Sequence, residues 1–242
     1  TEEELIAIMD NANQEEVEPY EEFVSDEPIL SELPKAGSVK KQKQLDIFDA
    51  TEITLSNGIR VIIKPTDFKQ DEILMTSYSL GGTSTMSLDD ATTINVINEL
   101  STIGGLGNFS ATDLPKVLAG KKVSVTPYIG NMTYGLRGSC SPKDLETMMQ
   151  IMYLYLTDTR YDEEAFKSFI TRYQAMLENM ANDPMSTLQD SLSALLFDSH
   201  PFRASLKVDD LDEIDYKLAL VLYEQCFCNV SNFVFTFPGN IN

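Results

Sequence analysis

At 242 residues and 43% hydrophobic content, the chain is long enough to bury a substantial core as one large domain. Its 38 acidic and 18 basic residues give a net charge of −20, a field that repels polyphosphate and argues against nucleic acid and anionic membrane surfaces as partners. No apolar run reaches the roughly 18–20 residues that span a bilayer, and three cysteines do not make a disulfide framework.

Charge divides the chain near residue 50. The first 33 residues hold twelve acidic groups and neither Lys nor Arg. Thr1-Glu2-Glu3-Glu4 has the spacing of a capping box, and Leu5, Ile6, Ile8, Met9 and Ala12 follow as a helical stripe. Pro19, Pro28 and Pro34 then interrupt any longer helix. Residues 1–50 therefore read as an acidic linker with a short N-terminal helix, and Val17, Tyr20, Phe23, Ile29 and Leu33 suggest that it packs on a neighbour.

From residue 51 the pattern is strand-rich, then helix-rich, then strand. Thr51–Leu55 and Ile59–Lys64 are alternating runs about an Asn57-Gly58 turn, and Leu74, Thr76, Tyr78 and Leu80 alternate along a third strand. Ser87 and Asp90 have capping-box spacing ahead of a helix over 88–102 through Ile94, Ile97 and Leu100. Ser110 and Asp113 repeat that spacing before a shorter helix closing at Gly120, and strands follow at about 121–128 and 132–140. Ser141 and Pro142 open a helix lined by Leu145, Met148, Met149, Met152 and Leu156. A second helix, about 162–182, stops at Asp183-Pro184; a third carries Met185, Leu188, Leu192 and Leu195; a fourth carries Ile214, Leu218, Val221 and Leu222. Asn232–Phe237 closes as a strand, which implies a chain continuing past Asn242, since strands gain hydrogen bonds only from neighbours.

This order of elements predicts an α+β fold, an antiparallel sheet with helices packed on one face. Thr51–Ile73, Phe109–Leu114, Gly138–Glu146 and Phe235–Asn242, joined by the Gly81-Gly82-Thr83 turn and the following helix, resemble a domain of the pitrilysin/insulinase-type (M16) zinc metallopeptidases over about 190 residues, 51–242. In active members that helix carries an inverted His-x-x-Glu-His motif whose histidines hold zinc and whose Glu activates water. Here the matching slot reads Asn95-Val96-Ile97-Asn98-Glu99, and no histidine lies between residues 1 and 199. Asn95, Asn98 and Glu99 cannot supply three ligands and a base, so the resemblance implies an inactive copy with no catalytic, cofactor-binding or metal residues of its own.

Long members of this family are similar in having four such domains in two halves around a substrate chamber. The resemblance therefore implies an inter-half linker followed by the third domain, truncated at its C-terminus. It would form a chamber wall of a zinc-dependent endopeptidase whose catalytic N-terminal half holds the zinc and whose substrates are peptides. A periplasmic or envelope location goes with long members of the pattern. The Leu114–Lys121 segment supplies neither the Arg nor the Tyr that active members receive from their non-catalytic half. The alternative is a stand-alone structural or peptide-binding protein on a degenerate peptidase fold.

Other candidates have plainer readings. His200, between Ser199 and Pro201, reads as a helix-end histidine making local hydrogen bonds. Cys140, Cys226 and Cys228 read as core cysteines, not as a zinc site with His200. Gly104-Gly105-Leu106-Gly107 follows a helix and lacks the phosphate-loop lysine, so it reads as a flexible connector. Gly82–Met86 lacks the closing glycine of a nucleophile elbow, and Met148, Met149 and Met152 read as core rather than as an adaptable binding surface.

Overall fold

The computed structural model describes residues 28–241. The helix expected at Leu5–Ala12 and most of the acidic linker lie outside them. Among the described residues seven strands, β1 (Val39–Leu45), β2 (Ala50–Leu55), β3 (Arg60–Pro65), β4 (Ile73–Leu80), β5 (Val123–Ile129), β6 (Thr133–Cys140) and β7 (Val234–Gly239), form one sheet in the order β1-β2-β3-β7-β4-β6-β5. The Asn57-Gly58 turn joins β2 to β3 as its sequence requires, with the Gly58 N–H donating to the Leu55 carbonyl at 3.0 Å. The pairings are antiparallel except one. β7 returns from the helical region to lie parallel to β3, so the α+β sheet is mixed.

Two features of the sheet depart from the sequence reading. Val39–Leu45, within the stretch read as linker, is an edge strand hydrogen-bonded to β2. Its lysines, Lys40, Lys41 and Lys43, suit an edge by discouraging pairing with another chain. The apolar alternation of β4 also faces the unexpected way. Ile73, Met75, Ser77 and Ser79 are buried under helices, while Leu74, Tyr78 and Leu80 stand on the uncovered face. Ser77 is tolerated inside because its hydroxyl accepts from the Leu136 N–H at 2.8 Å, and buried hydroxyls need such partners. On the uncovered face Tyr128 reaches across Gly135 and donates to the Ser77 carbonyl at 3.0 Å. Gly135 is required there, since a Cβ would collide with that carbonyl oxygen.

Seven α-helices of the described residues lie on the other face: α1 (Ala91–Ile94), α2 (Ile97–Ile103), α3 (Leu114–Val117), α4 (Leu145–Thr157), α5 (Glu163–Ala181), α6 (Pro184–Phe197) and α7 (Tyr216–Phe227). α2 and α4 pack on the sheet and against α7, and α5 and α6 form an outer hairpin. Two aspartates cap helix starts: Asp162 accepts from the Ala165 N–H at 3.0 Å at α5, and Asp183, read as the stop of the helix before it, also caps α6 by accepting from Met185 and Ser186. The Ser141-Pro142 signal opens a 3-10 turn instead, Pro142–Asp144, ahead of α4. Ser141 donates to the Asp144 carboxylate at 2.6 Å, which also accepts from the Lys122 N–H at 2.9 Å. Those two bonds, the Ser141 one first, hold the Asp144 carboxyl below the usual range.

The core joins Ile73, Met75, Leu136, Met148, Phe227 and Phe233 between sheet and helices. Met148 and Met152 belong to it as expected, but Met149, one position further round the helix from Met148, is turned to solvent. Ile29 is buried and Leu33 is exposed. No residue of α6 is buried: Met185, Leu188, Leu192 and Leu195 form an apolar face open to solvent. No helix among the described residues is long and apolar enough to cross a membrane.

Candidate functional site

The slot that would hold the zinc motif sits where its helix breaks. α1 ends at Ile94, α2 starts at Ile97, and Val96 between them has φ −119° and ψ 14°, outside helical geometry. Val96 and Ile97, at the break, are both buried at 1% exposure.

Each polar group of the slot has a structural partner or faces water. Asn95 donates through Nδ2 to the Pro201 carbonyl at 3.1 Å, tying the slot to the 3-10 turn Pro201–Arg203. Asn98 closes a two-way bond with the end of β5. Its Oδ1 accepts from the Ile129 N–H at 2.7 Å and its Nδ2 donates to the Ile129 carbonyl at 3.0 Å. Only a side-chain amide offers a donor and an acceptor in that geometry. Glu99 is exposed on the next position. Across from it, Tyr173 of α5 has its phenol raised above the ordinary range, by burial first and then by the Glu99 charge.

These residues do not fit zinc. Two are neutral amides engaged with backbone, and the single carboxylate has a tyrosine, not a second acid, as its α5 neighbour. Among the described residues no group of three or more His, Cys, Asp or Glu is placed to hold a metal ion. His200 lies where the sequence put it, at a helix end, with Nδ1 accepting from the Phe202 N–H at 3.3 Å. It contributes to the wall of a cavity of about 540 Å³ beside the slot, together with Phe197, Phe202 and Arg203. A second cavity of about 430 Å³ shares those last three residues and adds Asn95 and Tyr173. Sequence reasoning missed Phe197, Phe202 and Arg203, and the only local signal was an aromatic and a cation flanking the lone histidine.

The remaining candidates sort by packing. The Gly104–Gly107 connector is tightly built, since a Cβ on Gly104 would meet the Arg160 carbonyl and Leu106 is 1% exposed; it is not the loose segment expected. Cys140 and Cys226 are buried, and burial above all pushes both thiols up to about 11. Cys228 is a correction to the reading of three core cysteines, because it caps the end of α7 and is exposed. At pH 8 a disulfide-exchange reagent is therefore expected to titrate one thiol of the native chain quickly and all three only after unfolding. Three fast native thiols would contradict the packing of α7 and β6.

No family model matches the chain. Over 235 residues it is 25% identical to a protein of Arabidopsis thaliana named zinc protease PQQL-like, a match that covers 96% of this chain and 22% of that protein. Among solved structures, the periplasmic protease PqqL from Escherichia coli superposes with a TM-score of 0.74 at 17% identity, over 98% of this chain and 26% of that one. An M16 inactive domain from Pseudomonas fluorescens superposes with a TM-score of 0.64 at 12% identity, over 80% of this chain and 47% of that one. The chain thus spans about a fifth of the Arabidopsis relative. The chain has the fold of the M16-type peptidase domains, an inactive M16 domain among its structural neighbours, and its sequence is similar to that of a protein named as a zinc protease.

Proposed function

We propose that the chain is a non-catalytic segment of a zinc-dependent metalloendopeptidase, its third domain preceded by an inter-half linker over residues 1–50, and that it walls part of a peptide chamber. The observation that carries this reading is Asn98. At the slot for a catalytic motif, its amide is bonded in both directions to the Ile129 backbone, a duty that supports the sheet and leaves no ligand for zinc. Zinc belongs to the catalytic domain of the parent, and no step of the chemistry falls to residues of this chain. Its contribution is enclosure, which restricts the size of what enters and raises the local concentration of a bound peptide at the catalytic half. A periplasmic location accompanies this reading, because the Escherichia coli neighbour is described as a periplasmic protease; osmotic-shock fractionation of the native host tests it, and recovery in the cytosol rejects it.

The test of function is complementation. The chain is mixed with the separately produced upstream half of its gene product, and cleavage of an internally quenched peptide is followed with and without a zinc chelator. Chelator-sensitive cleavage that needs both parts supports the chamber reading. The same cleavage from the upstream half alone rejects it and leaves a stand-alone structural or peptide-binding role.

A further inference from the structure

The two cavities beside the slot differ in charge from the rest of the molecule. In a chain with 38 acidic and 18 basic residues, no carboxylate of the described residues lines either of them. Arg203 lies at their shared wall with its guanidinium carbon 5.1 Å from the centroid of the Phe197 ring. Among the described residues Arg203 makes no ion pair. A guanidinium stacked on an aromatic face keeps its in-plane donors free, and those donors match a carboxylate.

The turn that presents Arg203 is fixed from three sides. Asn95 donates to the Pro201 carbonyl, Ser193 of α6 donates to the Arg203 carbonyl at 2.9 Å, and the Arg203 N–H donates to the His200 carbonyl at 2.8 Å. Fixing the backbone lowers the ordering cost of binding at its side chain. Met86, Phe197 and Phe202 make the wall of the first cavity mainly apolar, whereas the second mixes Met176 and Leu177 with the polar side chains of Asn95, Ser193 and Ser205. Thr83 and Ser84 add hydroxyls at the rim of the first. A volume near 540 Å³ lies within the range of small-ligand and side-chain pockets.

We infer that these cavities bind a peptide carboxylate flanked by a bulky apolar side chain, Arg203 pairing with the carboxylate and Phe197, Phe202 and Met86 receiving the apolar group. The carboxylate comes from a chain end or from an acidic side chain. The net charge of −20 works against polyanionic peptides, so a single carboxylate in an apolar context is the matched ligand. This deepens the reading of the chain as part of a peptide-handling enzyme and rests on it only for the ligand being a peptide.

Three fluorescent hexapeptides, titrated into the full 242-residue chain by anisotropy, test the inference. One ends in leucine and phenylalanine with a free carboxylate, the second is its neutral amide, and the third is the amide with one internal aspartate. At least one acidic peptide is expected to bind about fivefold tighter than the neutral one, the gain of one solvent-accessible ion pair. The acidic arm that gains identifies the source of the carboxylate. Arg203→Gln is expected to bring all three peptides to the neutral affinity, and Phe197→Ala to weaken all three. Equal binding of the three to the unaltered chain, or no binding, overturns the inference without reliance on any variant. Binding that fails while complementation succeeds rejects the cavity site alone, and the converse rejects the chamber role alone.

Discussion

Rebuilding the inverted motif, by Asn95→His, Asn98→Glu and Glu99→His, is expected to give a less stable protein with no zinc-dependent peptidase activity. The motif works because its two histidines, four positions apart, share one face of a continuous helix. Here that helix is broken between Ile94 and Ile97, so side chains at 95 and 99 do not belong to one regular turn. Position 98 bears the main cost. A carboxylate can accept from the Ile129 N–H, but it has no donor for the Ile129 carbonyl and would face that oxygen with a charge. Leaving such a partly buried group unpaired costs about 1–3 kcal/mol. Loss of the Asn95 bond to Pro201 adds about 1 kcal/mol. The triple variant is thus expected to lose about 2–4 kcal/mol by urea denaturation, a large part of a typical domain's stability. Asn98→Glu alone is expected to account for most of it. Chelator-sensitive cleavage of a quenched peptide by the triple variant, or an unchanged denaturation midpoint, would mean that the slot is a dormant metal site and not a structural joint.

What the sequence made legible was the order and kind of the elements, because their signals are local. Asn57-Gly58 marked a hairpin, Asp183-Pro184 marked the boundary between two helices, and the apolar run within Asn232–Phe237 marked the last strand. What it hid were consequences of long-range packing. The inward face of β4 carries Ser77 and Ser79 while Leu74 and Leu80 face out, an inversion possible only because β6 supplies hydrogen bonds to the Ser77 hydroxyl. Val39–Leu45 looked polar enough for a linker and became a strand because β2 was there to pair with it. The apolar stripe of α6 was visible, but a stripe reports that a face suits burial, not what buries it. At the candidate site the absence of histidine from residues 95–99 was legible directly. The partner of Asn98, 31 positions away, was not, and neither was the seating of Arg203 over Phe197, which requires the turn after α6.

The phase of α7 separates sequence stripe from structure by a large energy. Its sequence suggests Ile214, Leu218, Val221 and Leu222 as the inward face. The structure buries Ile214 and Leu222 and packs Leu218 against the core, but leaves Val221 about half exposed and adds Tyr216, Ala219, Tyr223, Cys226 and Phe227 to the buried side. The difference arises because the aromatic residues have partners that the stripe ignores. Phe227 is 1% exposed, stacks on Tyr223 at 4.4 Å and meets Tyr134 of β6 edge-on at 5.6 Å, and Phe233 lies 5.9 Å away just before β7. Tyr223 can be buried beside it because its hydroxyl donates to the Tyr155 carbonyl at 2.8 Å. Phe227→Ala removes a ring from the junction of α7, β6 and β7, and the rigid aromatic neighbours cannot collapse into the space. A loss of about 3–5 kcal/mol is expected, read as a lower urea midpoint at unchanged slope. Val221→Ala is expected to shift stability by less than about 0.5 kcal/mol, since little apolar area is lost and alanine favours the helix. Reversed magnitudes would mean that α7 is rotated about its axis, and with it the helical layer that carries the slot and its cavities.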